Sequence, residues 1–343
     1  MKHLTFLLIF VGASLFASAQ TFETAGEYMN YISGFHKAVS EQMLSYVSAS
    51  AHSKRESKSQ KERNELIETI KNSRDKIRNM PAFEGDQSYR DAAVDFLDIN
   101  YHVLKEDYEK IIDMEAIADQ SFDKMEEYLN AQNAANAKMS DAMDVLVEKQ
   151  KTFGAKYNIN IVEGKGEVTQ KLEIANEVIH YYNVVYLTFF KSYKQELYAL
   201  EAVRAKDINS IEQNKNALIK TTTEGLSILD TLPSFKGDTK LKYACRQALI
   251  FYKKEAETDF TDAVDFYLKK EKFEKTKTAY DALKSSERTQ ENVNAYNDAV
   301  NGYNAAAKKQ NANNAVSNTK RTEITNGWNK TGSDFMDKHI PKK

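Results

Sequence analysis

Apolar residues recur along this chain every three or four positions over long stretches, the spacing that gathers them on one face of an α-helix. In the first part of the sequence the pattern predicts helices over 23–53, 60–79, 87–119 and 121–156, the last two close enough to be continuous. In the second part it predicts helices over 168–205, 207–230 and 239–270, then a long terminal stretch from Glu274 to about Ala315. Helices of about thirty residues run roughly 45 Å, and short segments between them favour antiparallel neighbours. The expected fold class is therefore all-α, with two mainly antiparallel bundles of long helices. The segment from Tyr181 to Leu200 is apolar nearly all round, which marks a helix buried on several sides.

The two parts are related. Pro81-Ala82-Phe83-Glu84-Gly85-Asp86 recurs as Pro233-Ser234-Phe235-Lys236-Gly237-Asp238, a shift of 152 residues. The same shift carries Leu97 onto Leu249, Asp107 onto Asp259 and Ile112 onto Val264. This is the signature of a tandem internal repeat. In each copy proline stops the preceding helix, glycine permits positive φ, and aspartate can cap the next helix by accepting a backbone N–H. The phenylalanine is expected to fold back onto the core. The domain reading is a first helical half over 20–157, a connector over 158–167 containing Gly164 and Gly166, a second half over 168–316 and a tail over 317–343. Trp328, Phe335 and Ile340 predict that this tail docks on the bundle, and Ser285 to Tyr303 reads as extra length in the second copy.

Composition agrees with long helices. Three prolines and twelve glycines are too few for the many turns a sheet protein of this length needs. The chain opens with Met1-Lys2-His3, a greasy run from Leu4 to Phe16 and Ala17-Ser18-Ala19-Gln20, which reads as a signal peptide over 1–19. No cysteine follows the cleavage site to carry a lipid, and no later segment is apolar enough for a transmembrane helix, so an exported protein is expected. A net charge of −2 gives no basic excess for nucleic acid. The single cysteine, Cys245, excludes an internal disulfide, and its apolar neighbours Leu241, Ala248 and Leu249 suggest a buried structural thiol.

Candidate chemistry comes from polar residues on apolar faces. On a helical wheel Asn100 and Asp107 fall at the centre of the apolar face of the third helix, and Asp259 falls at the corresponding place in the second copy, two turns after Tyr252. A buried ionised carboxylate must be paired, hydrogen-bonded, protonated or bound to a cation. His36, at the edge of the first helix's apolar face, is one candidate partner for Asp107, tyrosine hydroxyls are candidates for either aspartate, and Glu196 also faces inward. These six residues are the candidate ligand-binding set; as satisfied core groups they would instead fix register between helices. Glu177-Val178-Ile179-His180 has the spacing of a di-iron bundle motif, but the chain holds one copy and the first half, with Glu27 and Asn30, lacks the histidine. No zinc cysteine pairs, phosphate loop or nucleophile elbow is present, so no enzyme activity, metal or cofactor is expected.

The non-lipidated signal peptide, the doubled Pro-x-Phe-x-Gly-Asp loop and a tail with Trp328, Phe335 and His339-Ile340-Pro341 resemble a family of bacterial surface proteins named after a leptospiral member. The resemblance covers the whole mature chain. It implies an exported helical protein in the periplasm or on the cell surface of a diderm bacterium, and it transfers no activity and no catalytic residue. The expected role is a non-enzymatic envelope or surface binding module whose partner is another envelope protein or a glycan. The alternative is a helix-bundle binder of a metal ion or small polar ligand through inward-facing carboxylates.

Overall fold

Apolar stripes interrupted by two Pro-x-Phe-x-Gly-Asp connectors produce ten α-helices among the residues that the computed structural model describes, 21–53, 55–161 and 166–343. The expected signal peptide and the connector's centre at 162–165, with Gly164, lie outside the described residues. In chain order the helices are α1 (Ala25–His52), α2 (Glu56–Arg78), α3 (Ser88–His102), α4 (Tyr108–Ala118), α5 (Phe122–Lys156), α6 (Glu167–Ala205), α7 (Ile208–Thr231), α8 (Lys240–Glu257), α9 (Asp259–Ala282) and α10 (Gln290–His339). The class is all-α, and the only β features among the described residues are isolated bridges inside the two connectors. Among the described residues no helix is long and apolar enough to cross a membrane.

The described residues divide into two compact units. The first takes in those up to Met43, Lys61–Tyr108 and 134–161; the second takes in 44–60, 109–133 and 166–343. In the first unit α1, α2, α3 and the end of α5 run alternately up and down, as cross-helix pairs show. Gln42 donates to Glu62 at 3.1 Å, Arg74 to Asp98 at 2.8 Å, and Tyr28 stacks on Phe153 at 5.6 Å. In the second unit α6, α7, α8 and α10 follow the same alternation: Gln195 donates to Asn214 at 2.8 Å, Arg246 to Asp230 at 2.5 Å, and Phe335 near the end of α10 packs on Tyr181 in the first half of α6. Residues 109–133 were expected in the first half, yet they belong to the second unit because Ala118, Met125 and Leu129 bury in one cluster with Val178, Phe189 and Trp328.

The connectors form as their residue types dictate. Glu84 and Gly85 have φ of 49° and 80°, and Lys236 and Gly237 have 48° and 82°, so each hexapeptide makes a tight turn of left-handed residues. Phe83 and Phe235 fold onto the core, both 8 % exposed. Asp86 caps α3 through the Ser88 N–H at 2.9 Å, and Asp238 caps α8 through the Lys240 N–H at 3.0 Å. Their second oxygens latch distant helix ends: Lys156 donates to Asp86 at 2.5 Å, while Lys338 and His339 reach Asp238 at 2.6 and 3.0 Å. These partners hold both carboxyls below the usual range, Asp86 at about 2.

The C-terminal reading needs correction. No break occurs near Lys270, because Phe266, Phe273 and Tyr280 recur every seven residues in α9 and stack on Tyr303 and Tyr296 of α10. The charged run there is the solvated face of one helix. The expected separate tail is instead the continuation of α10, which docks through Trp328 and Phe335, with Ile340 buried just beyond it. Gly237→Ala, which forces a Cβ into a left-handed site, is expected to lower stability by about 1–2 kcal/mol. Gly34→Ala, in a helix with nothing within 4 Å of the added Cβ, is expected to raise it by about 0.5–1 kcal/mol; urea unfolding midpoints check both.

Candidate functional site

The structure separates the six candidate residues. Asp107 is not at the centre of a buried face: its carboxylate is 28 % exposed and accepts from Lys138 at 2.6 Å. Five residues, Val103–Asp107, form a π turn between α3 and α4, and the extra residue in a π turn rotates everything after it out of an α-helical wheel. Arg63, 7 % exposed, satisfies the loosened backbone by donating twice to the Leu104 carbonyl, at 3.1 and 2.7 Å. Asp259 fails for a related reason. Thr258 (φ −113°, ψ −67°) separates α8 from α9, so Asp259 opens a new helix, half exposed, accepting from Thr258 at 2.9 Å and from the Ser317 hydroxyl.

His36 does not serve Asp107. Its ring meets Phe96 edge-on at 5.6 Å, its Nε2 is buried without a hydrogen-bond partner, and burial lowers its pKa to about 4. Asn100 is buried as expected, and its Nδ2 is turned back to the Phe96 carbonyl at 2.7 Å. Glu177 and His180 lie at the surface, with Glu177 paired to Lys236 at 2.9 Å. No group of three or more His, Cys, Asp or Glu side chains placed to hold a metal exists among the described residues. Cys245 is fully buried and directed at the Val185 carbonyl, and burial pushes its thiol pKa far up.

Glu196 and Tyr252, by contrast, come together around two residues the sequence reading passed over. Glu196 on α6 and Glu255 on α8 have side chains 0 % and 1 % exposed, and both accept from the Arg321 guanidinium on α10. Nη1 of Arg321 turns to Asn318 at 2.6 Å. Tyr252, three residues before Glu255, is fully buried and its hydroxyl has no partner among the described residues. The remaining carboxylate oxygens, Oε2 of Glu196 and Oε2 of Glu255, are buried and unpartnered as well. Burial raises the pKa of both carboxyls, Glu255 to about 8.

Glu255 was legible in principle as a charge beside Tyr252 on the Cys245–Ala248–Ala256 face. Arg321 was legible because it precedes Trp328 and Phe335 at seven-residue steps, although it lies in a polar run.

Each unit also carries a concave surface. In the second unit a cavity of about 350 Å³ is walled by Tyr186, Phe189, Tyr193 and Trp328, with Asp119 and Lys194 at its edge. Trp328 stacks on Phe189 at 4.2 Å. In the first unit a groove of about 660 Å³ runs between α3 and α5. Its floor is Ala92, Phe96 and Ala142, its lips are Ile99 and Val145, 40 % and 59 % exposed, and its flanks carry Asp91 and Asp95 on α3 and Lys138, Asp141 and Lys149 on α5. No family model, curated protein or solved structure matches the chain.

Arg321→Ala strips the guanidinium from two buried carboxyls and is expected to cost about 3–5 kcal/mol at neutral pH. The deficit should shrink on acidification. Carboxyls whose folded pKa lies above the unfolded value stabilise the native state at low pH and lose that contribution as pH rises through the folded value. Chemical unfolding of both proteins at about pH 5 and about pH 8 measures it.

Proposed function

We propose that the chain is an exported, non-catalytic helical binding module of a bacterial envelope, and that it docks an amphipathic helix of another envelope protein in the groove between α3 and α5. The observation that carries this reading is the groove itself. Large apolar side chains left open to water over a concave surface mark an interaction site, and a groove between two helices suits the apolar face of a third. Asp91 and Asp95 on one flank and Lys138, Asp141 and Lys149 on the other border the apolar floor with charge, as the polar edges of an amphipathic guest helix require. The two connectors, with matching φ values and matching aspartate caps, support a tandem duplication in which each copy builds its own surface. Asp107 and Asp259 are spent on Lys138, Ser317 and Thr258, which favours this reading over a metal binder.

A photo-crosslinking residue placed at Ile99 tests the proposal in native envelopes, with one at Val316, 71 % exposed in the second unit, as the control. A discrete adduct at Ile99 and not at Val316, abolished by Val145→Glu, is expected. Adducts that are absent, or the same from both positions, would sink the docking claim. Val145→Glu itself should change stability by less than about 0.5 kcal/mol.

A further inference from the structure

We infer that Glu196 and Glu255 form a proton-binding site, holding one proton between them, and that this proton completes the clamp by which Arg321 joins α10 to α6 and α8. The inference stands apart from the groove and concerns the second unit alone.

Count the charges that face the site. Tyr193 and Glu196 come from α6, Tyr252 and Glu255 from α8, Asp259 from the start of α9 and Arg321 from α10. One guanidinium balances one carboxylate. A second ionised carboxylate in the same dry space, with Asp259 nearby, has nothing to offset it. The hydrogen-bonding inventory leads to the same place. Arg321 satisfies Oε1 of each glutamate, while Oε2 of each is buried with no donor. The two carboxyls lie within hydrogen-bonding reach of one another. A carboxyl proton on Glu255 donated to Glu196 supplies both orphaned oxygens at once and leaves the cluster neutral. The Tyr252 hydroxyl, also buried and unpartnered, closes the space on the α8 side. Its own pKa is raised by burial, so it remains a neutral donor.

Nothing in the packing demands these groups. Counted from the connectors, Val103 stands 152 residues before Glu255, is 3 % exposed and apolar. The latch residues Lys156 and Lys338, and Phe153 and Phe335, which meet the connector phenylalanines edge-on, are both 182 residues apart, which places Met139 opposite Arg321. A helix pair of this kind is therefore built elsewhere in the chain without the charges.

The clamp has a built-in reporter. Trp328, the single tryptophan, follows Arg321 by two turns on α10 and stacks on Phe189, whose ring is 6.3 Å from Tyr252. Folded Glu255 holds its proton more tightly than unfolded Glu255. Its contribution to stability is thus full below the unfolded pKa, declines as pH rises, and is gone above about 8.

The test combines two readouts on the mature protein. Infrared difference spectra are expected to show a protonated side-chain carboxyl at about pH 7 that is lost by about pH 9 with the helices intact. Replacing the proton carrier by a neutral donor, Glu255→Gln, should remove that band. The unfolding equilibrium of the wild type should shift toward the unfolded state by up to about tenfold per pH unit between about 5 and 8, with Trp328 emission changing alongside. Glu255→Gln should flatten both relative to the wild type. Absence of the carboxyl band at neutral pH overturns the inference, and so does a pH slope that Glu255→Gln leaves unchanged. Should that variant fail to fold, the wild-type infrared titration decides alone.

Discussion

Burying one guanidinium between two carboxyls sets the terms for the second unit. Such a cluster is costly to desolvate and returns stability only when its geometry is good and its remaining polar atoms are satisfied. Arg321 can meet Glu196 and Glu255 together only if α10 lies against α6 and α8 at one register. With that register fixed, Trp328 falls on Phe189, Phe335 on Tyr181 and Phe235, and Lys338 and His339 on Asp238. On a fifty-residue helix with a long polar stretch the clamp is one anchor among several, beside the stacked Trp328, the packed Phe335 and the latch at Asp238.

The first unit reaches the same alternating order by other means. Its connector aspartate is latched by Lys156, and Phe83 packs on Phe153 and Tyr157. Where the second unit has charges, it has Val103 and Met139, and its buried arginine, Arg63, serves a backbone carbonyl in the π turn. Irregular helix geometry falls in both places: Val103–Asp107 in one, Thr258 in the other, near the same register. The two units thus share connector geometry and differ in what they place inside, the groove in one and the buried cluster in the other.

Much of this was legible in the chain. Three- and four-residue periodicity located most helices within a few positions, and the doubled hexapeptide foretold both turns, both caps and both inward phenylalanines because each depends on neighbouring residues. Glu196 was correctly read as inward. What failed depended on events elsewhere in space. A wheel drawn through Val103–Asp107 assumes unbroken α geometry, and the π turn that displaces Asp107 is supported by Arg63, forty residues upstream. The break at Thr258 displaced Asp259 in the same way and left Glu255 as the buried acid. Arg321 sits among asparagines, threonines and lysines, so local composition described a tail, whereas its burial is decided by α6 and α8.

If the cluster is a proton site set into a scaffold that does not require it, its charges can be exchanged for apolar side chains without loss of the fold. The direct measurement is the unfolding free energy of a triple variant, Glu196→Met with Glu255→Val and Arg321→Met, compared with the wild type at neutral pH. Replacing a buried ionic cluster by apolar groups of similar volume is often neutral or stabilising by about 1–4 kcal/mol. The account therefore expects a folded, helical protein at least as stable as the wild type, with no pH dependence from this site. A triple variant that fails to fold, or loses several kcal/mol, would show that the charges hold the bundle together and would contradict it.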